Sequence, residues 1–223
     1  MLKFKDYEAA FSPARINRYL QACNGDTKTA LKLYRYNIKL CQKYYGILNV
    51  FEVILRNAIN EHYVSYYSNQ DWIRNQLNKG GILENYPRRS SVEKCIDDLY
   101  KTNRYTNDRI VSSVSFGFWT HLFSRRPFSI GGQSLLKIFP ARTKGMGQRA
   151  IYKELTAIKT FRNRIAHHEP ICFDANGVKS TQMAKESYAL VVKYVRFLGY
   201  PESNIFYGLD VLPDAILNKI DNM

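Results

Sequence analysis

The chain has four histidines, and three of them follow an arginine–asparagine pair at short range. One set reads Arg56-Asn57-Ala58-Ile59-Asn60-Glu61-His62, the other Arg162-Asn163-Arg164-Ile165-Ala166-His167-His168. An imidazole, with an ordinary pKa of about 6.5, takes or returns a proton at neutral pH, an effect worth roughly 10²- to 10⁴-fold in rate. A guanidinium stabilises charge on non-bridging phosphate oxygens, with a bidentate geometry that lysine lacks. The adjoining asparagine can orient the histidine or contact the phosphate. RNA carries its own nucleophile, the 2′-hydroxyl, so this residue set suffices to cut it and leave a 2′,3′-cyclic phosphate and a 5′-hydroxyl. The scheme calls for no metal or cofactor, and the sequence has no clustered carboxylates or Cys/His ligand sets.

Helical geometry limits how these residues can meet. Five residues rotate about 140° on an ideal helix and six about 240°, so neither spacing stacks arginine beside histidine. Arg162 and His167 converge only if the helix end unwinds near Pro170, or if Arg162 reaches around the helix. Two such helices facing one cleft, within one chain or across a homodimer, would also solve the problem. Simpler roles compete: Arg56-Asn57 as a polar helix face, His62 as a packed histidine, and His167 with His168 as cations at a helix C-terminus. Adjacent histidines diverge, so at most one is the base, and the choice between His167 and His168 stays open.

Other candidate motifs are weaker. The Gly131-Gly132 pair and the Lys144-Gly145-Met146-Gly147 run do not match a P-loop, and His121 has no ligand partner at useful spacing. The four cysteines (Cys23, Cys41, Cys95, Cys172) form no CxxC pair, so the expectation is a cytoplasmic protein with reduced thiols. Its N-terminus has no apolar leader, and no run approaches the roughly 20 apolar residues of a membrane span. The net charge of +14 favours polyanions such as RNA, DNA or anionic lipid, against the plain alternative of a solvated basic surface. Residues 1–70 carry 10 basic and 5 acidic side chains, 71–150 carry 14 and 6, and 151–223 carry 9 and 8, so the excess sits in the first two segments. Arg88, Arg89, Arg125, Arg126, Lys137, Arg142, Lys144 and Arg149, with Arg164 in the second motif, are the candidates for an RNA-gripping rim. A solvated face explains any one of them equally well. The seventeen tyrosines cluster on helical segments (Tyr34, Tyr36, Tyr44, Tyr45, Tyr63, Tyr66, Tyr67) and read as helix packing in preference to a base-stacking platform.

The elements that must hold these residues are helical almost throughout. Ser12-Pro13 predicts a helix start, running to about residue 22. A long helical stretch follows from 27 to about 67, with a break expected near Gly46. Asp71-Trp72 starts a short helix ending at Gly80-Gly81. Ser90 with Glu93 reads as a capping box opening a helix to about 101. One helix is expected from about 107 through Phe123, and a short helical piece within the looser 124–147 stretch. Gln148 to His167 or His168 forms the next, stopped by Pro170. Helices at about 181–198 and 214–220 complete an all-α chain, read as one domain over 1–223.

The pattern resembles the HEPN superfamily, whose signature is an arginine, often followed by asparagine, with a histidine four to six residues on. More narrowly it resembles the Abi-like (abortive infection) family of bacterial phage-defence proteins. Three segments carry the likeness: 51–63 around Phe51-Glu52-Val53-Ile54-Leu55-Arg56-Asn57, then Ser115-Phe116-Gly117-Phe118-Trp119, then 161–170 around Phe161-Arg162-Asn163 and His167-His168-Glu169-Pro170. The resemblance implies a HEPN-like helical bundle and a metal-independent endoribonuclease, with Arg162, Asn163, His167, His168, Arg56, Asn57 and His62 as catalytic candidates. It also implies a toxin restrained by a partner, either a structured non-coding RNA or a protein antitoxin. A non-catalytic RNA-binding module is the competing reading, and a pure protein-interaction domain a third.

Overall fold

Apolar side chains recur every three to four residues through most of the chain, and the computed structural model, described over residues 3–209 and 213–223, turns that spacing into helix. In order the elements are α1 (Phe4–Phe11), α2 (Pro13–Ala22), α3 (Thr27–Tyr67), α4 (Trp72–Gln76), α5 (Arg89–Lys101), α6 (Asn107–Ser113), α7 (Phe116–His121), α8 (Arg125–Ile130), a 3-10 turn (Leu135–Ile138), α9 (Gln148–Ala166), α10 (Gln182–Phe197), α11 (Glu202–Ile205) and α12 (Asp214–Asp221). Among the described residues there are no strands, only the isolated antiparallel bridge between Phe173 and Lys179. The all-α expectation holds. No described helix is long and apolar enough to cross a membrane.

Several boundaries differ from the sequence reading, each for a physical reason. No break occurs near Gly46: α3 runs unbroken for 41 residues, about 60 Å at 1.5 Å per residue. A glycine there costs only about 1 kcal/mol against alanine, which buried neighbours such as Tyr44, Ile47 and Leu48 offset. The capping box at Ser90 does not form. Its helix starts at Arg89, which puts Ser90 inside the first turn, and Glu93 pairs with the Arg89 guanidinium at 2.7 Å instead. The helix expected from 107 through 123 is two, because Val114 and Ser115 take extended backbone between α6 and α7. Before the first expected helix lies α1, started where the Asp6 carboxylate accepts the Lys3 N–H at 2.7 Å.

The chain forms two compact units. Unit 1 comprises 1–49, 160–191 and 206–223; unit 2 comprises 50–159 and 192–205. The core of unit 1 is aromatic: Tyr19 sits edge-on to Tyr34 and Phe173, and Tyr44 edge-on to Phe161 and Tyr188. Tyr44 also donates to the Ala184 carbonyl at 2.6 Å, which fastens α10 to α3. The core of unit 2 gathers Phe51, Tyr63, Trp72, Phe116, Phe118, Trp119, Phe139 and Tyr194, all buried. The Phe-Gly-Phe-Trp segment therefore serves packing: its three rings are buried, and Trp72 lies 6.4 Å from Trp119.

Candidate functional site

The helix α9 ends at Ala166, just short of both candidate histidines. Its last turn closes by paired backbone bonds: His168 N–H to Ile165 O at 3.0 Å, and Glu169 N–H to Arg164 O at 2.8 Å. This is the double bond of a Schellman cap, with His168 in the left-handed position usually held by glycine. His168 has φ of +58°, a conformation that costs an L residue roughly 1–2 kcal/mol. Arg164 holds the turn in place. Its guanidinium donates to the Pro170 carbonyl at 2.8 Å and approaches the Glu169 carboxylate at 3.5 Å. Below it, the buried Asn37 side chain accepts the Ile171 N–H at 2.9 Å. Arg15, from α2, donates to the His168 carbonyl across 153 residues of sequence.

The cap answers the geometric problem of the motif. Six residues along a helix would carry His168 about 240° from Arg162, but the left-handed turn takes it off the helical path. Arg162 and His168 consequently line one cavity of about 780 Å³, together with Arg15, Ile165 and Ala166. Exposed His167, at the C-cap, is not among the lining residues. The opposite wall comes from α3, where Tyr34, Cys41 and Tyr45 line the same space. Two guanidiniums and one imidazole face this cavity, and no carboxylate lines it. Burial pushes the Cys41 thiol up to about 11, so it stays protonated at neutral pH and is no rival nucleophile. Asn163 is exposed on α9 outside the lining set.

Arg15 was not legible in the sequence, since its place is fixed by a carbonyl made much later in the chain. Tyr45 was misjudged as packing: its ring is 61% exposed, whereas its neighbour Tyr44 is buried. The packing reading does hold for Tyr34, Tyr44 and Tyr63.

The other motif lies in unit 2, in the last third of α3. Both residues lie within the regular helix, so Arg56 and His62 stay about 240° apart around the axis, on different faces. Asn57 is exposed and Arg56 half-buried, its Nε without a hydrogen-bond partner among the described residues. His62 Nε2 lies 2.9 Å from Ser134 Oγ, and the Ser134 hydroxyl donates to Gly131 O at 3.0 Å. The serine has one proton, so His62 Nε2 must be the donor and Nδ1 keeps the lone pair. Burial, then the nearby Lys137, hold the His62 pKa below its usual value. The ring stacks on Tyr66 at 6.1 Å. Gly132 makes room for that tyrosine, as a Cβ there would fall 2.2 Å from its hydroxyl.

Eight of the nine basic rim candidates lie in unit 2, which carries 19 basic against 10 acidic side chains. Arg88, Arg125, Lys137, Lys144 and Arg149 are exposed. Arg89 and Arg126 pair with Glu93 and Glu84, and Arg142 donates to Leu136 O at 2.9 Å. The ninth, Arg164, is engaged in the α9 cap. Among the described residues no three His, Cys, Asp or Glu side chains converge as a metal-ligating group.

Fold and site define an all-helical protein with a cation-lined cavity built at a capped helix end. The Abi-like protein family model matches residues 1–172, which span both Arg-Asn motifs, and the chain belongs to that family. Membership puts it among proteins of abortive infection, a form of phage defence. No curated protein and no solved structure matches the chain.

Proposed function

We propose that the chain is a metal-independent endoribonuclease of phage defence, a growth-arresting toxin restrained by an RNA or protein partner. The observation that carries the reading is the convergence of Arg15, Arg162 and His168 on one cavity without a carboxylate. Such a wall attracts a phosphodiester and offers it an acid–base group. The His168 imidazole takes the proton of a ribose 2′-hydroxyl, and the freed oxygen attacks the adjacent phosphorus. The P–O5′ bond breaks, the 5′ oxygen takes a proton from water, a 2′,3′-cyclic phosphate remains, and the His168 imidazolium returns its proton to solvent. The Arg162 guanidinium bonds the non-bridging oxygens as their charge grows. Arg164 acts on none of these atoms; it positions His168 by holding the cap. The net charge of +14 suits both the substrate and a restraining RNA.

Incubation with mixed RNA in EDTA tests this. Cleavage to cyclic-phosphate ends, lost in both Arg162→Ala and His168→Ala, is the expected result. Cleavage that survives His168→Ala and vanishes in His167→Ala overturns the assignment of the base. A second reading, RNA binding without cleavage, is favoured by one observation: a single imidazole lines the cavity, where separate acid and base would use two. Tight, salt-sensitive binding with intact RNA in every condition selects that reading.

A further inference from the structure

The α3 wall of the cavity carries more apolar surface than a phosphate site requires. Ile38, Gln42 and Tyr45 line it at spacings of four and three residues, one stripe of the helix. Ile38 is 40% exposed and Tyr45 61%, and Phe11 of α1, on the same cavity, is 43% exposed. Phe11 leans on the Tyr34 ring at 5.4 Å, which fixes it in place. Tyr45 makes no ring contact among the described residues, whereas the adjacent Tyr44 packs edge-on against Phe161 and Tyr188. An exposed aromatic ring in one cavity with two guanidiniums and the Gln42 amide is complementary to a nucleotide, which is flat and apolar at the base and anionic at the phosphate. The cavity, at about 780 Å³, has the size of an ordinary small-ligand site.

We propose that the Ile38–Gln42–Tyr45 stripe is a base-binding subsite, in which one unstacked nucleobase of RNA lies against Tyr45 while its phosphate meets Arg15 and Arg162. The proposal rests on the reading of this cavity as an RNA site, and it adds a requirement that the nucleotide be flipped out or unpaired. A base within a duplex keeps both its faces covered and cannot reach the ring. Gln42, exposed beside the stripe, is placed to meet the base edge.

The test uses the full chain and a short, single-stranded RNA made uncleavable by 2′-O-methylation, with one 2-aminopurine as the fluorescent base. Quenching of that base on binding is expected for the native protein and Tyr45→Phe, with quenching lost and affinity roughly tenfold or more weaker in Tyr45→Ala. The same strand with an abasic site, and the same sequence as a blunt duplex, are expected to bind no better than the single strand binds Tyr45→Ala. Because no strand is cut, loss of the ribonuclease reading leaves this result standing, and native-like quenching in Tyr45→Ala overturns the subsite alone. Native-like duplex binding also overturns it. So does a change of oligomeric state in Tyr45→Ala with RNA binding intact, which would assign the stripe to a second copy of the chain. The ring is exposed enough for the alanine variant to fold, and circular dichroism with Tyr45→Phe as control verifies that.

Discussion

Replacing His168 by glycine separates the two things this residue does. Its left-handed backbone costs roughly 1–2 kcal/mol, and glycine removes that cost while losing about 0.5–1 kcal/mol to extra freedom in the unfolded chain. The bond from Arg15 goes to the backbone carbonyl, so glycine retains it, and the exposed imidazole leaves little packing behind. The net expectation is a protein equal in stability to the native one or up to about 1.5 kcal/mol more stable. For a chain of this length that is a thermal midpoint unchanged or raised by up to about 6 °C. His168→Ala keeps the strained backbone and gains nothing. Cleavage, in contrast, should fall about 10²- to 10⁴-fold in both variants, the ordinary worth of an acid–base group. Calorimetry and a single-turnover RNA cleavage assay read the two effects separately. A glycine variant that cleaves at the native rate refutes the role given to the imidazole. One that is clearly less stable than His168→Ala refutes the account of the cap.

Further outcomes follow from particular contacts. Arg15→Ala and Arg162→Ala should each flatten the dependence of RNA affinity on log salt by about 0.7, the value of one single-strand phosphate contact. Filter-binding between low and moderate salt measures it. Asn37→Leu buries the Ile171 N–H without a partner and should cost about 1–3 kcal/mol in urea denaturation, while loosening the loop behind His168. His62 and His121 both titrate below their usual value, chiefly because they are buried. The unfolded chain, with imidazoles near ~6.5, then binds protons that the folded chain refuses, so stability is full above that pH and declines as pH falls through it toward the folded values. His62→Gln should make that acid decline shallower in denaturation curves taken at successive pH. His167→Ala should cleave close to the native rate.

The helical spacing of apolar residues was enough to read the class of fold and most of the helices, including the stop of α9 before Pro170. Breaks depended on less visible terms. Between α6 and α7 the apolar period continues through Val114, so the extended backbone at Ser115 left no trace in the pattern. At Gly46 the breaker was outweighed by burial on either side. The left-handed turn at His168 has no glycine to announce it. Its geometry depends on Arg15, Asn37 and Arg164, of which only Arg164 is a close neighbour in sequence. The Arg162–His168 pairing was thus half legible: the residues were evident, and the turn that lets them share a cavity was set by long-range bonds. The cluster of tyrosines concealed Tyr45, which with Tyr66 is exposed where Tyr34, Tyr44 and Tyr63 are buried.

Unit 1 draws on segments far downstream of its cavity. Arg15, Tyr45, Arg162 and His168 all precede residue 172, but the Ala184 carbonyl that takes the Tyr44 hydroxyl follows it, as does the Tyr188 ring against Tyr44. Asp221, near the very end, holds Thr181 at 2.6 Å and Lys185 at 2.6 Å. The walls of the cavity thus come from the same stretch of chain as the Arg-Asn…His motif, and the segment after residue 172 supplies packing behind them. A cut after residue 172 would keep every residue that lines the cavity and lose the Ala184 and Tyr188 contacts to Tyr44, so it separates the cavity's chemistry from the packing that supports it.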